Sequence, residues 1–294
     1  MDSEAEIRTT DRVADGREER ALRGEALFGD DFSSDEIRDW FDHEREGFYS
    51  LYGAARAARL AARGATLRPE YEYSQLAKQH GYRWMPSGPV HHLLGVGSAD
   101  GAELLPLLRH TSRVTVLEPS SGFAADSIAG TPVTYVAPSA SGRMPFGDDT
   151  FDVVICFSAL HHIPNVTTVV SEMYRVCAPG GYVLLREPTH SMGDWRRPRP
   201  GLTPRERGLP LEIFRRIIRM AGFQIVRETR CMFALTSRLH RVLPNSPWNY
   251  HSVVAIDRAL CRLPIWPDVY HATRWWQKLR PTAVAYVLTK PSRH

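Results

Sequence analysis

The text with chemical potential begins at Leu93-Leu94-Gly95-Val96-Gly97-Ser98-Ala99-Asp100-Gly101 in the 294-residue chain. Glycines at such a turn let the backbone pass close to a ligand. A helix opening just after it would offer unpaired N–H groups to a carboxylate or phosphate. Glu118 ends a strand-like run, 17 residues past Gly101. An acid at that spacing from a glycine turn suits the hydroxyls of a ribose. Together the two features point to a nucleoside cofactor; separately, a tight loop and a solvated acid would explain them. Further along, Leu160-His161-His162-Ile163-Pro164-Asn165 follows another apolar run. Histidine titrates near neutral pH, so His161 and His162 are candidate general bases, against the alternative that they only close a strand.

The stretch Arg186 to Arg207 is the most distinctive. It contains His190, ranked first as a candidate base, the acids Glu187 and Asp194, the aromatic Trp195, and the arginines Arg196 and Arg197. Guanidinium forks suit phosphate or carboxylate, so Glu187, Asp194, Trp195, Arg196 and Arg197 are candidate substrate contacts. A loop braced by internal Arg–acid pairs is the competing reading. Tyr71-Glu72-Tyr73 either helps close the site or packs in the core.

The elements that must hold these residues alternate. Val90–Val96, Val114–Leu117, Val133–Ala137, Phe151–Phe157, Tyr182–Leu185, Phe223–Arg227 and Ala283–Thr289 read as strands. Ala102–Arg109, Asn165–Cys177 and Leu211–Met220 read as helices, with Pro179-Gly180-Gly181 as a stop. Alternation of this kind predicts an α/β fold with a parallel sheet covered on both faces. Residues 33–62 read as helical, with Ser34 as the cap. Residues 235–280, rich in Trp and Pro, interrupt the alternation and read as a helical insertion before the last strand. The expected organisation is a disordered acidic tail over 1–25, an N-terminal helical cap over 26–85, a core over 86–230, and the insertion with the final strand over 231–294.

Composition narrows the class. Apolar residues are 43% and charged residues 24% of the chain, as in soluble globular proteins. No run approaches the roughly 18 apolar residues of a membrane span, and the charged N-terminus is not expected to be a secretory signal. Residues 1–50 hold 16 acids and 7 arginines, so the remaining chain carries 30 basic and 17 acidic residues, a net +13. A basic body suits an anionic partner, or is only a solvated surface. Cys156, Cys177, Cys231 and Cys261 show no metal-ligand spacing and are read as free thiols of a cytoplasmic protein, with no metal.

Taken in order, the glycine turn, the strand-end Glu118, Met144-Pro145-Phe146-Gly147-Asp148-Asp149-Thr150-Phe151-Asp152-Val153-Val154, Leu160–Asn165, and Arg175-Val176 with Pro179-Gly180-Gly181-Tyr182 resemble the class I S-adenosylmethionine-dependent methyltransferases. The likeness is closest to the branch with ubiquinone-biosynthesis-like domains and covers about residues 90–230. It implies a seven-stranded Rossmann-like sheet and S-adenosyl-L-methionine as cofactor. It places Gly97, Ser98, Ala99 and Gly101 under the methionyl and ribose groups, and Glu118 with Pro119 at the ribose. Ser139 to Arg143, Gly142 included, would lie against adenine, and Phe157 and Ser158 against the methionyl part. The chain departs from the family in having Gly95 where an acid is usual, Ala99 for a glycine, and Ser139-Ala140-Ser141 where an Asp often meets adenine. The expected activity is O-methylation of a small molecule such as a sugar, glycan intermediate or specialised metabolite, with histidine assistance. A non-methylating use of the cofactor and methylation of RNA or protein are the alternatives. No stable nucleic-acid partner is expected, and the oligomeric state is left open, a homodimer included.

Overall fold

The structure, a computed structural model, describes residues 16–53 and 71–292. Seven strands form one sheet: β1 (Val90–Val96), β2 (Thr111–Leu117), β3 (Thr134–Val136), β4 (Phe151–Phe157), β5 (Cys177–Pro188), β6 (Gln224–Phe233) and β7 (Pro281–Thr289), in the order β3-β2-β1-β4-β5-β7-β6. β3, β2, β1, β4 and β5 run parallel, and β7 is antiparallel to both β5 and β6. The strand order reverses beside β1, between the β2 and β4 edges. Ligands of open α/β sheets bind at such a reversal, outside the carboxyl ends of the strands.

Side-chain alternation divides each strand between two cores. Leu94 and Val96 of β1, Val154 and Cys156 of β4, and Val183 and Leu185 of β5 face one core. Leu93, Val153, Ile155 and Leu184 face the other. Because successive residues point to opposite faces, the continuous apolar text of these strands requires cover on both sides. Helices α3 (Val166–Val176) and α4 (Leu211–Met220) cover the first face. In α3, Val166, Val169, Val170 and Met173 form the buried stripe, at the spacing of one helical face. On the second face, helix α2 (Ser74–His80) contributes Ala77, and the turn after β1 contributes Leu104 and Leu108.

Several boundaries differ from the sequence-based expectations. The helix expected over Ala102–Arg109 is a 3₁₀ turn, Ala102–Leu104, followed by a single turn, Leu105–Leu108. Pro106 removes a helix donor there, and β2 already begins at Thr111. The cap of helix α1 (Ser34–Phe48) is Ser33, not Ser34, in a capping box with Glu36. A π-helical turn, Tyr49–Gly53, follows α1; the rest of the helix expected to residue 62 lies outside the described residues. The tail expected to be disordered through residue 25 is helical over 16–22, and Ala21 and Leu22 are buried against Phe28, Trp40 and Trp195; residues 1–15 lie outside the description. The Pro179-Gly180-Gly181 stretch lies within β5, after α3 has ended at Val176. The insertion carries helix α5 (His251–Cys261), tied to β6 by Asp257, which accepts the Met232 and Phe233 N–H groups. All four cysteines are buried and unpaired.

One side chain joins the N-terminal elements to the sheet. Arg207 is fully buried and donates to the carbonyls of Phe28, Leu160, His161, Ile163 and Pro164. Burial pulls its guanidinium down to about 10, so it remains charged at neutral pH. Arg207→Met is expected to cost about 3–5 kcal/mol in a urea unfolding experiment, because it leaves buried carbonyls without donors. A loss under about 1 kcal/mol would mean that the loop does not depend on these bonds.

Candidate active site

A cleft lies across the carboxyl ends of β1, β2 and β4 and opens to solvent. Val96 and Gly97 from the end of β1, Glu118 and Pro119 after β2, and Ser158 after β4 form its floor. Gly97 has φ +64°, and a Cβ there would come within 2.5 Å of Ala159 Cβ, so only glycine lets the chain turn here. Glu118 is buried, accepting the Ala99 N–H and the Ser120 N–H at 3.0 Å each. These contacts orient the carboxylate on the cleft floor. Pro138, Ala140, Met144 and Val169 give the far end apolar walls. Asn165 holds that loop by donating to the Ser141 carbonyl at 2.8 Å, and Gly142 (φ +81°) lets the loop press onto Asn165.

The wall after β4 is built from behind. Glu187, fully buried on β5, accepts the Ala159 and Leu160 N–H groups at 3.0 and 2.9 Å and the His161 Nδ1–H at 2.8 Å. Burial and the adjacent His162 ring push His161 below its ordinary value, against the pull of Glu187. His161 is thus a neutral, buried bracket. His162 lines the cleft. Its Nδ1 donates to Glu44 Oε2 at 2.8 Å, which leaves Nε2 as the basic nitrogen of the neutral ring. Glu44 comes from α1 and is itself buried. It also accepts from Thr203 Oγ1 and, at 2.7 Å, from the Arg205 N–H. Burial would raise the Glu44 carboxyl, but the bonds from His162, Thr203 and Arg205 outweigh it and hold it below the carboxylate range. Phe41, Arg45 and Phe48 of the same helix close the cleft above. His161, His162 and Glu206 bring ligand atoms within 4.8 Å of one another, a spacing that a metal could bridge, although no metal was expected. Both Nδ1 atoms are already engaged by carboxylates, however.

The sequence-predicted residues divide clearly. Gly97, Glu118, Pro119, Gly142, Ser158 and His162 line the cleft. Ser98, Ala99, Gly101, Arg143 and Phe157 do not. Ser98 is buried behind the turn, and at Gly95 a Cβ would collide with it. Any side chain at position 95 would require Ser98 to shift. Ala99 takes φ +44°, the conformation a glycine would adopt without strain. His190, ranked first as base, lies away from the cleft. Its Nδ1 is 3.1 Å from the Thr282 carbonyl, and burial lowers it to about 4. The loop-bracing reading describes the arginines better: Arg196 and Arg197 pair with Asp194, Arg196 at 2.9 Å, on the outer surface. Trp195 stacks on Phe28 in the N-terminal aromatic cluster, 5.5 Å between centroids. Glu187 supports the wall rather than facing the cleft. Sequence reasoning missed Glu44. The signal was an acid in the middle of the apolar 40/44/48 stripe of α1, which a solvated helix would place on its polar face.

With this geometry in place, comparisons with known proteins are informative. Residues 94–185 match the family model described as "Methyltransferase domain". A demethylmenaquinone methyltransferase of Streptomyces avermitilis is 29% identical over 102 residues, 35% of this chain and 44% of that one; the match thus spans less than half of this curated relative. Among solved structures, the complex between the Haloferax volcanii Trm112 methyltransferase activator and a methyltransferase aligns with TM-score 0.51 and 15% identity, covering 83% of this chain and 97% of that one. A Thermotoga maritima S-adenosylmethionine-dependent methyltransferase, described as a possible histamine N-methyltransferase, aligns with TM-score 0.50 and 16% identity, covering 82% and 99%. At these identities the structural likeness concerns the fold.

The lowered Glu44 carboxyl makes a prediction about acid stability. A depressed carboxyl contributes stability that is fully present above its unfolded value of 4.5 and is lost as pH falls through the native value. Glu44→Gln should therefore flatten the stability-versus-pH curve below pH 4.5 relative to the parent. Parallel curves in acid denaturation would contradict the Glu44–His162 pairing.

Proposed function

We propose that the chain is a class I S-adenosylmethionine-dependent methyltransferase that methylates a hydroxyl of a small molecule with His162 as general base. The observation that carries this reading is the Glu44–His162 pair on the wall of the cleft, beside Ser158 and across from Gly97 and Glu118. The cleft residues fit the cofactor. Glu118 suits the ribose hydroxyls, the apolar Pro138–Met144 end suits a flat adenine, and the glycine-only turn at Gly97 admits close approach.

When bound, S-adenosylmethionine supplies an electrophilic methyl group on a sulfonium with a good leaving thioether. The protein's task is then alignment and proton removal. Gly97 and Glu118 fix one end of the reacting line. His162 Nε2 takes the hydroxyl proton as the oxygen attacks. Glu44 stabilises the resulting imidazolium through Nδ1 and keeps the ring in the productive tautomer, as the acid of a Ser-His-Asp triad does. Phe41 and Phe48 shield the reacting centre from water. A cleft with apolar walls and a single base favours a small acceptor. Sugars, glycan intermediates and specialised metabolites are the classes to test first.

Two variants separate cofactor binding from chemistry. Glu118→Ala should weaken S-adenosylhomocysteine binding by about 1–3 kcal/mol in calorimetry. His162→Asn should leave that affinity within about twofold while lowering S-adenosylhomocysteine formation on a hydroxylated acceptor by roughly 10²–10⁴. A parent protein that bound no S-adenosylhomocysteine would defeat the whole reading. A fully active His162→Asn enzyme would defeat only the base.

A further inference from the structure

Bonded to Ser158, a residue of the cleft lining, is a cation that the proposed chemistry does not use. Arg186 is the strand residue paired with Phe157 across β4 and β5, and its carbonyl accepts the Ser158 N–H at 2.7 Å. Only 3% of Arg186 is exposed. Its Nη2 donates to Ser158 Oγ at 3.3 Å. Nε and Nη1, which carry three of the five guanidinium N–H donors, make no hydrogen bond. Among the described residues Arg186 forms no ion pair. Its immediate neighbours are rings: Tyr73 at 4.5 Å, Phe157 at 5.1 Å and Tyr71 at 6.0 Å from the guanidinium carbon.

Burying a charge in this way carries a large desolvation penalty, and ring faces offset only part of it. Arg207 shows the alternative in the same molecule, with its donors directed at carbonyls. Arg186 has no such partners. Further polar groups on the same face are unspent. Both ring nitrogens of buried His80 have no hydrogen-bond partner, and the Tyr71 hydroxyl faces only the Arg186 guanidinium. Burial and the surrounding arginines hold His80 down at about 4, so it is a neutral donor.

We propose that Arg186 is the receptor for a carboxylate that enters beside Ser158. A planar group of single charge matches one guanidinium fork walled by aromatic rings. The carboxylate has two possible sources, the methionyl end of the cofactor and the acceptor molecule. The assignment of its source rests on the cofactor lying in the adjoining cleft; the unpartnered guanidinium does not depend on it.

Arg186→Met keeps the length of the side chain and removes the donors. Because Nε and Nη1 hold no partner, the ligand-free variant should melt near the parent temperature; a drop of several degrees would assign Arg186 a purely structural role and overturn the proposal. Calorimetry on the full chain then reads the source, with S-adenosylhomocysteine, its decarboxylated analogue and benzoate as probes. If the cofactor supplies the carboxylate, the variant loses at least about tenfold in affinity for S-adenosylhomocysteine and nothing for the analogue. If the acceptor supplies it, both affinities persist and benzoate binding to the cofactor-saturated protein is lost. A variant that bound all three probes like the parent would overturn the proposal, as would a parent in which inorganic phosphate, but not benzoate, binds through Arg186. A parent without affinity for S-adenosylhomocysteine would fail the methyltransferase reading, and benzoate binding to parent and variant would still test Arg186.

Discussion

A guanidinium held by peptide carbonyls governs the placement of the candidate base. Arg207 reaches Phe28 on the N-terminal side and four carbonyls of the 160–164 loop on the sheet side. No carboxylate takes part in these bonds. A cation satisfied by dipoles fixes backbone, whereas a cation satisfied by an acid would fix only another side chain. The loop that carries His161 and His162 is therefore positioned through its main chain. Trp40 adds to this, its indole N–H donating to the His162 carbonyl at 2.8 Å.

On this frame the two histidines acquire different roles from nearly identical text. His161 turns inward to Glu187, a residue of the sheet itself. His162 turns to Glu44, a residue of the cap helix. Their rings are 4.2 Å apart, so protonating one disfavours protonating the other. Burial holds His161 neutral, while the His162 ring stands on the cleft wall. Adjacent histidines in a sequence thus take different places, one bracing the loop and one lining the cleft, because their carboxylates come from different layers.

Much of the fold was legible because its signals are local. The β1 and β4 runs have the expected bounds, since a buried parallel strand is a continuous apolar run ended by turn residues. Glu118 was legible for the same reason, as it ends such a run at a spacing set by the strand–turn–strand geometry. His190 failed where locality failed. Its place beyond β5 resembles an active-site loop in sequence, but Thr282 at the start of β7, 92 residues away, receives its Nδ1. Trp195 and its arginines likewise look like a substrate surface until the N-terminal aromatic cluster is seen to bury the tryptophan. Glu44 could be read only as an anomaly in an apolar stripe, because its partner is 118 residues distant.

Under the proposed mechanism these long-range pairs would give the N-terminal segment a function that a lid alone would not have. Phe41 and Phe48 line the cleft, and Glu44, one turn from each, holds the His162 ring. If α1 moved away, water would enter and His162 would lose its carboxylate in the same event. Under the proposed mechanism, closure and activation are one motion, with the proton acceptor complete only while the cleft is covered. The cap is anchored by the Arg207–Phe28, Trp40–His162 and Thr203–Glu44 bonds, so the helix that carries Glu44 is held to both the 160–164 loop and the segment around Thr203.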